Sequence, residues 1–142
     1  GFTIDVTGVG SLSSGLEYLR LVGVGLTDTD VQTIASRYPQ LRNLDIGNNA
    51  EVTSLLPLRT STTLERINAS MFNAPTGGGV IYGISADRTT NGIIEAAGIA
   101  TLHELRIDNT LAAYEYRTND VTVGIEEFIR RRPDAYISYD LW

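Results

Sequence analysis

The chain has 142 residues, enough for one domain with its own core. Its net charge of −6 and sequence pI near 4.6 argue against general binding to nucleic acid or an anionic membrane, since both need a basic field. With no cysteine and a single histidine, His103, it excludes disulfides, thiolate zinc sites and multi-histidine metal sites.

Residues 1–15 lack a basic start before an apolar run, so no signal peptide is expected there. No apolar run reaches the ~18 residues of a membrane span. "TIDVT" supplies a first pair of alternating apolar residues, Ile4 and Val6. A fuller L-x-x-L-x-L frame follows at Leu16, Leu19 and Leu21. It returns as Leu41/Leu44/Ile46, Leu64/Ile67/Ala69 and Leu102/Leu105/Ile107, and a last half-frame stands at Ile137/Tyr139. Successive frames are 25, 23 and 38 residues apart, two of them inside the roughly 20–29-residue range of a leucine-rich repeat and the third needing an insertion. In each frame two apolar residues alternate with polar ones, the period of a short strand with one buried face. One such strand cannot bury its leucines alone, whereas a stack of parallel strands makes a continuous core.

The return segments take their turn between the frames. "LTDTDVQTIASRYP" predicts a helix, capped by Thr27 or Asp28. Val31, Ile34, Ala35 and Tyr38 form its buried stripe, and Pro39 stops it. "EVTSLLPLRTS" is short and contains Pro57, so it predicts a turn with at most one helical turn. "NGIIEAAGIAT" predicts a short helix. "TVGIEEFIRRRP" predicts another, with Ile125, Phe128 and Ile129 inward, Glu126 and Glu127 early, and Arg130, Arg131 and Arg132 late, as the helix dipole favours.

At "LTDTDVQTIASRYPQLRNLDI" the chain resembles leucine-rich repeats of the cysteine-containing, ribonuclease-inhibitor-like type, with Tyr38 where that family has its cysteine. "LRNLDIGNNAEVTSLLPLRTSTT" is similar to the shorter leucine-rich repeats, and Asn49 occupies their Asn/Cys position. Val24, Phe72 and Thr110 stand there in the other frames, which weakens the sharp turn usually made at that point. The resemblance covers residues 1–70 well and 100–142 loosely. It implies a protein-binding scaffold.

Two stretches interrupt the repeat. Met71 to Gly92 contains Gly77, Gly78 and Gly79 and predicts a mobile loop. Asn109 to Asp120 carries Tyr114 and Tyr116, which a locally extended backbone places on one side. Both stretches follow a strand, so they leave from the same sheet edge as neighbours. Phe72, Tyr82, Tyr114 and Tyr116 then form either an aromatic binding rim or the packing that folds the insertions onto the repeats.

The outward strand positions make two columns. One runs Asp5, Arg20, Asp45, Asn68, Arg106, Ser138; the other runs Thr3, Tyr18, Asn43, Arg66, Glu104, Tyr136. Arg20 with Asp45, and Arg66 with Glu104, alternate in sign. They read as a self-neutralising ladder on a solvated face and equally as a polar surface offered to a protein.

Motifs for chemistry are weak. "GVGSLSSG" and "GGG" lack the Gly-Lys-Ser/Thr of a P-loop, and Gly8-Val9-Gly10 lacks the third glycine of a dinucleotide fingerprint. Asp28 and Asp30 fit a helix start better than a carboxylate pair, and "DTD" has no EF-hand spacing. His103 beside a strand reads as a packed or exposed side chain. The expectation is therefore a single α/β domain over 1–142. It is a short leucine-rich-repeat solenoid with a parallel sheet on its concave face, irregular helical returns, and insertions at about 71–92 and 109–120. It is not an enzyme and takes no cofactor or metal. It recognises another protein, with no nucleic acid or membrane partner, through Tyr114, Tyr116, Phe72, Tyr82, Arg20, Asp45, Arg66 and Arg106. The alternative is a structural subunit of a larger assembly.

Overall fold

The structure, a computed structural model, describes residues 14–72, 83–85, 92–119 and 123–141. Among these residues it is α/β: a five-stranded parallel sheet with four helices. The strands are β1 (Tyr18–Arg20), β2 (Asn43–Asp45), β3 (Arg66–Asn68), β4 (Glu104–Arg106) and β5 (Tyr136–Ser138), in sheet order β1-β2-β3-β4-β5. The helices are α1 (Asp28–Arg37), α2 (Ile93–Ala96), α3 (Leu111–Asn119) and α4 (Val123–Arg131), and a single 3-10 turn covers Leu56–Leu58.

The register is that of the frames. Leu19 pairs with Leu44, Leu44 with Ile67, Ile67 with Leu105 and Leu105 with Ile137. These central residues point to one side, where they join Val31 and Ile34 of α1, Ile93 and Ala96 of α2, Ala112 of α3, and Ile125 and Phe128 of α4 in one apolar core. The flanking residues of β1 to β4, and Tyr136 of β5, point the other way, onto a face that no described helix covers, while Ser138 is buried against Asp108. Leu105 is fully buried at the middle of this core. Leu105→Ala is expected to lower the unfolding free energy by about 3 kcal/mol, read from chemical denaturation; a loss below about 0.5 kcal/mol, the range of surface changes, would contradict the register.

Polar side chains tie each turn of chain to the next. Thr27 caps α1 and Asp30 answers it: Asp30 N donates to Thr27 Oγ1 at 3.3 Å and Thr27 N to Asp30 Oδ2 at 2.9 Å. Asp28 does not cap. Its carboxylate accepts from Thr53 N at 2.8 Å and Ser54 N at 3.1 Å, holding the following segment. Past the strands, Asp108 N donates to Ser70 Oγ at 2.9 Å, and the buried Asp108 carboxylate accepts from Ser138 Oγ and from Asp140 N. Just after each of three strands the chain turns through a left-handed residue in the same column: Gly23 (φ +65°), Asn48 (φ +58°) and Asn109 (φ +56°). Glycine and asparagine are the residues that accept this conformation at least cost.

Two expectations change. Residues 109–120 are not an extended loop, because Leu111–Asn119 is helical. Thr110 accepts from Ala113 N through Oγ1 at 3.3 Å, an N-cap bond, and Ala112 and Ala113 are buried beneath it. A good cap followed by Leu-Ala-Ala outweighs the polar residues further on. In α4, Ile125 and Phe128 are buried as expected, but Ile129 is 37% exposed. The inward stripe continues instead through Arg132, whose guanidinium donates to Ala97 O, Ile99 O and Leu102 O. That last arginine closes the carbonyl end of α2 and the turn after it, while Arg130 and Arg131 face outward and hold Glu127 well below the usual carboxylate range, at about 2.

The Met71–Gly92 insertion, with Gly77, Gly78, Gly79 and Tyr82, falls largely outside the described residues, as do Ile4, Val6, Thr3 and Asp5. Between its ends, Gly83–Ser85 runs beside residues 50–53, with Gly83 N donating to Ala50 O at 3.2 Å and Ser85 N to Thr53 O at 2.9 Å. Ala112 N donates to Ile84 O at 2.9 Å, so the two post-strand stretches are neighbours.

Candidate functional site

The sheet's uncovered face gathers half of the residues singled out from the sequence. Arg20, Asp45, Arg66 and Arg106 all lie on it; the parallel register sets Arg20 beside Asp45, about 4.8 Å away on the next strand, while Arg66 stands in the other outward column, between Asn43 and Glu104, and Arg106 follows Asn68 in the column of Arg20 and Asp45. Arg20 Nε donates to Asp45 Oδ2 at 3.3 Å, so the first sign alternation becomes a contact.

The second does not. Arg66 and Glu104 are directly paired across β3 and β4, yet the Glu104 carboxylate turns along its own strand to Arg106, at 3.3 Å. Arg106 in turn lies over the Tyr136 ring, 5.4 Å from its centroid. The bond to Glu104 raises the Arg106 pKa above its ordinary value. Among the described residues, Arg66 makes no ion pair or hydrogen bond through its exposed guanidinium.

At the strand entrances a second line of charge is closed on itself. Arg42 bonds to Glu65 and reaches Glu17 at 3.4 Å. Its guanidinium holds the Glu65 carboxyl below the usual range. His103 Nε2 lies 3.7 Å from the other Glu65 oxygen, an exposed contact and not a buried catalytic arrangement.

Tyr18, Asn43, Glu104 and Tyr136 of this face escaped selection in the sequence although their column was visible. Tyr18 is 58% exposed and Tyr136 is 52% exposed. Together with Asn43, Arg66 and Glu104 they form one straight row across all five strands. Asn43 Oδ1 is buried, and among the described residues it is the side-chain oxygen or nitrogen that is buried without a hydrogen-bond partner. Tyr18, Asn43 and Arg66 line both of two adjoining depressions, one continuing over Glu17, Arg42 and Glu65, the other over Asp45, Asn68, Glu104 and Arg106.

The aromatic rim expected at the sheet edge is not assembled in the form the sequence suggested. Tyr114 and Tyr116 sit two residues apart on a helix, about 200° around its axis, and so face apart. Tyr114 is 40% exposed. Tyr116 is half-buried and meets Tyr139 edge to face, with ring centroids 5.0 Å apart. Arg117 lies over the same Tyr139 ring at 4.8 Å and bonds to Asp140 at 2.9 Å. Tyr116 thus packs against Tyr139 and the core. Phe72 is 41% exposed, but one edge of its ring lies over Gly47, where an added Cβ would stand 2.9 Å from Phe72 Cε2. Tyr82 lies outside the described residues.

Among the described residues no three His, Asp or Glu side chains approach closely enough to hold a metal ion, and no helix is long and apolar enough to cross a membrane. The chain matches no protein-family model and no curated protein.

Proposed function

We propose that this chain is a short leucine-rich-repeat solenoid acting as a protein-recognition module, a binding scaffold and not an enzyme, and that it meets its partner with the open face of its sheet. What supports the repeat reading is the coincidence of the leucine frames with the strand register, each frame supplying one strand in sequence order. What carries the functional reading is the row Tyr18–Asn43–Arg66–Glu104–Tyr136. It ends in two tyrosines more than half exposed, on a face without a covering element among the described residues. Tyrosine and arginine are enriched among the side chains that carry most binding energy at protein interfaces, and tyrosine brings large contact area at little rotamer entropy. Against them, the described aromatic residues of the insertion edge are divided between an exposed Tyr114, a partly covered Phe72 and a half-buried Tyr116.

The test is affinity for the partner that the intact protein retains from an extract of its source cells. Tyr18→Ala with Tyr136→Ala is expected to weaken that binding at least about tenfold while the circular dichroism and denaturation midpoint stay near wild type. Undiminished binding in this double variant, with loss in Tyr114→Ala, would move the site to the insertion edge.

A further inference from the structure

We infer that the protein segment seated on the open face presents a carboxylate side chain to Arg66, an inference that rests on the recognition reading above and names the chemistry at its centre. Each neighbouring arginine of the face is already engaged: Arg20 with Asp45, Arg42 with Glu17 and Glu65, Arg106 with Glu104 and the Tyr136 ring. Arg66 stands in the middle of the row with its guanidinium unpaired among the described residues. A partner that covers this group without a counter-charge strips its water and returns nothing, whereas a carboxylate returns two parallel hydrogen bonds.

The site therefore asks for an acid, which an Asp- or Glu-bearing peptide segment supplies. A phosphate is a poorer fit. Asp45, Glu65 and Glu104 line the same two depressions, and a dianion placed there meets their repulsion with one free cation to offset it. Four inter-strand steps of about 4.8 Å make the row about 19 Å long, the reach of roughly six extended residues. Tyr18 and Tyr136 then contact the two ends of the segment.

The probe is a displayed library of random peptides of about twelve residues, long enough to span the row, selected on the intact chain. Binders are accepted as occupants of the face only if Tyr18→Ala with Tyr136→Ala abolishes them. The expected result is a common Asp or Glu in these peptides. Its replacement by Ala, or Arg66→Ala in the protein, should cost about tenfold or more in Kd, and Arg66→Glu should be rescued by an Arg at the peptide's acidic position. Face-binding peptides that share no acid, or that keep their affinity for Arg66→Ala, would overturn the carboxylate and leave the recognition face standing. Gain in affinity when the acidic residue is replaced by phosphoserine would overturn it in favour of phosphate. If nothing is enriched, or if all binders ignore the tyrosine substitutions, both the carboxylate and the face are rejected. Arg66 is exposed, so its variants are expected to retain the wild-type denaturation midpoint, which serves as the folding control.

Discussion

Gly92→Ala will destabilise the protein by more than about 4 kcal/mol, or prevent folding. Gly92 precedes α2 with φ +79°, and a Cβ built there stands 2.2 Å from Leu56 N and 2.5 Å from the Leu55 carbonyl carbon. The left-handed conformation alone costs an alanine about 1–2 kcal/mol. The larger part comes from the contact, since both atoms are backbone and neither can rotate aside. To relieve it, α2 must move off the 3-10 turn, which draws the buried Ile93 and Ala96 out of the core. Gly23→Ala is the control. It has φ +65°, but the nearest atom to its Cβ is Asn48 Nδ2 at 3.8 Å, so only the conformational cost applies. Chemical denaturation of the two variants side by side separates strain from collision. Equal midpoints would mean that α2 does not pack against residues 55–56 as described.

This contact has no trace in the sequence, and the reason is general to the fold. Alternation within a frame reports which side of a strand is buried, and aligning frames reports which residues become neighbours across strands. Both were readable. Leu19, Leu44, Ile67, Leu105 and Ile137 fall into one register, and so do the outward columns around them. Helix α1 was readable for a local reason, its Thr27–Asp30 capping box and its apolar stripe. Gly92 instead answers to Leu56, which belongs to another turn of the chain and has no periodic relation to it. Helix α3 was misjudged although its signal was present, a Thr110 cap before Leu-Ala-Ala, because position 110 was weighed as a turn position of the repeat and not as a cap.

The face was legible as a set of positions and not as a set of contacts. Column order predicts that Arg66 stands beside Glu104, and it does. It does not predict which arginine the carboxylate chooses. Arg106, two residues on along the same strand, also has the Tyr136 ring to lie against, and that second contact comes from β5. Arg66 has no comparable second support, and the competition leaves it unpaired among the described residues. Tyr18 and Tyr136 were placed in an outward column but passed over as binding residues for a related reason. In a strand they read as ordinary β-formers, and only the absence of a covering element among the described residues makes them available.

Asn49→Ala will cost about 3–5 kcal/mol, far more than one buried amide normally carries. The side chain is 3% exposed and joins two successive turns of the chain. Its oxygen accepts from Val24 N at 3.0 Å and Leu26 N at 3.1 Å. Its nitrogen donates to Leu21 O and Ile46 O, both at 2.8 Å, and to Gly47 O at 3.1 Å. Truncation leaves two N–H groups and three carbonyls without this partner, at roughly 1–3 kcal/mol for each that stays buried and unpaired. Some will find water, which is why the total falls below the simple sum. Val24, Phe72 and Thr110 occupy the corresponding place in the other frames, and none of them carries an amide, so the strain of its loss is not shared. Asn49→Asp keeps the two acceptor bonds but turns a carboxylate toward three carbonyl oxygens, and it should be nearly as damaging at neutral pH. Native-state hydrogen exchange locates the effect. In Asn49→Ala the Val24 and Leu26 amides should lose protection relative to Leu44, at the centre of β2. A stability change below about 1 kcal/mol, with those two amides still protected, would show that Asn49 does not join the turns.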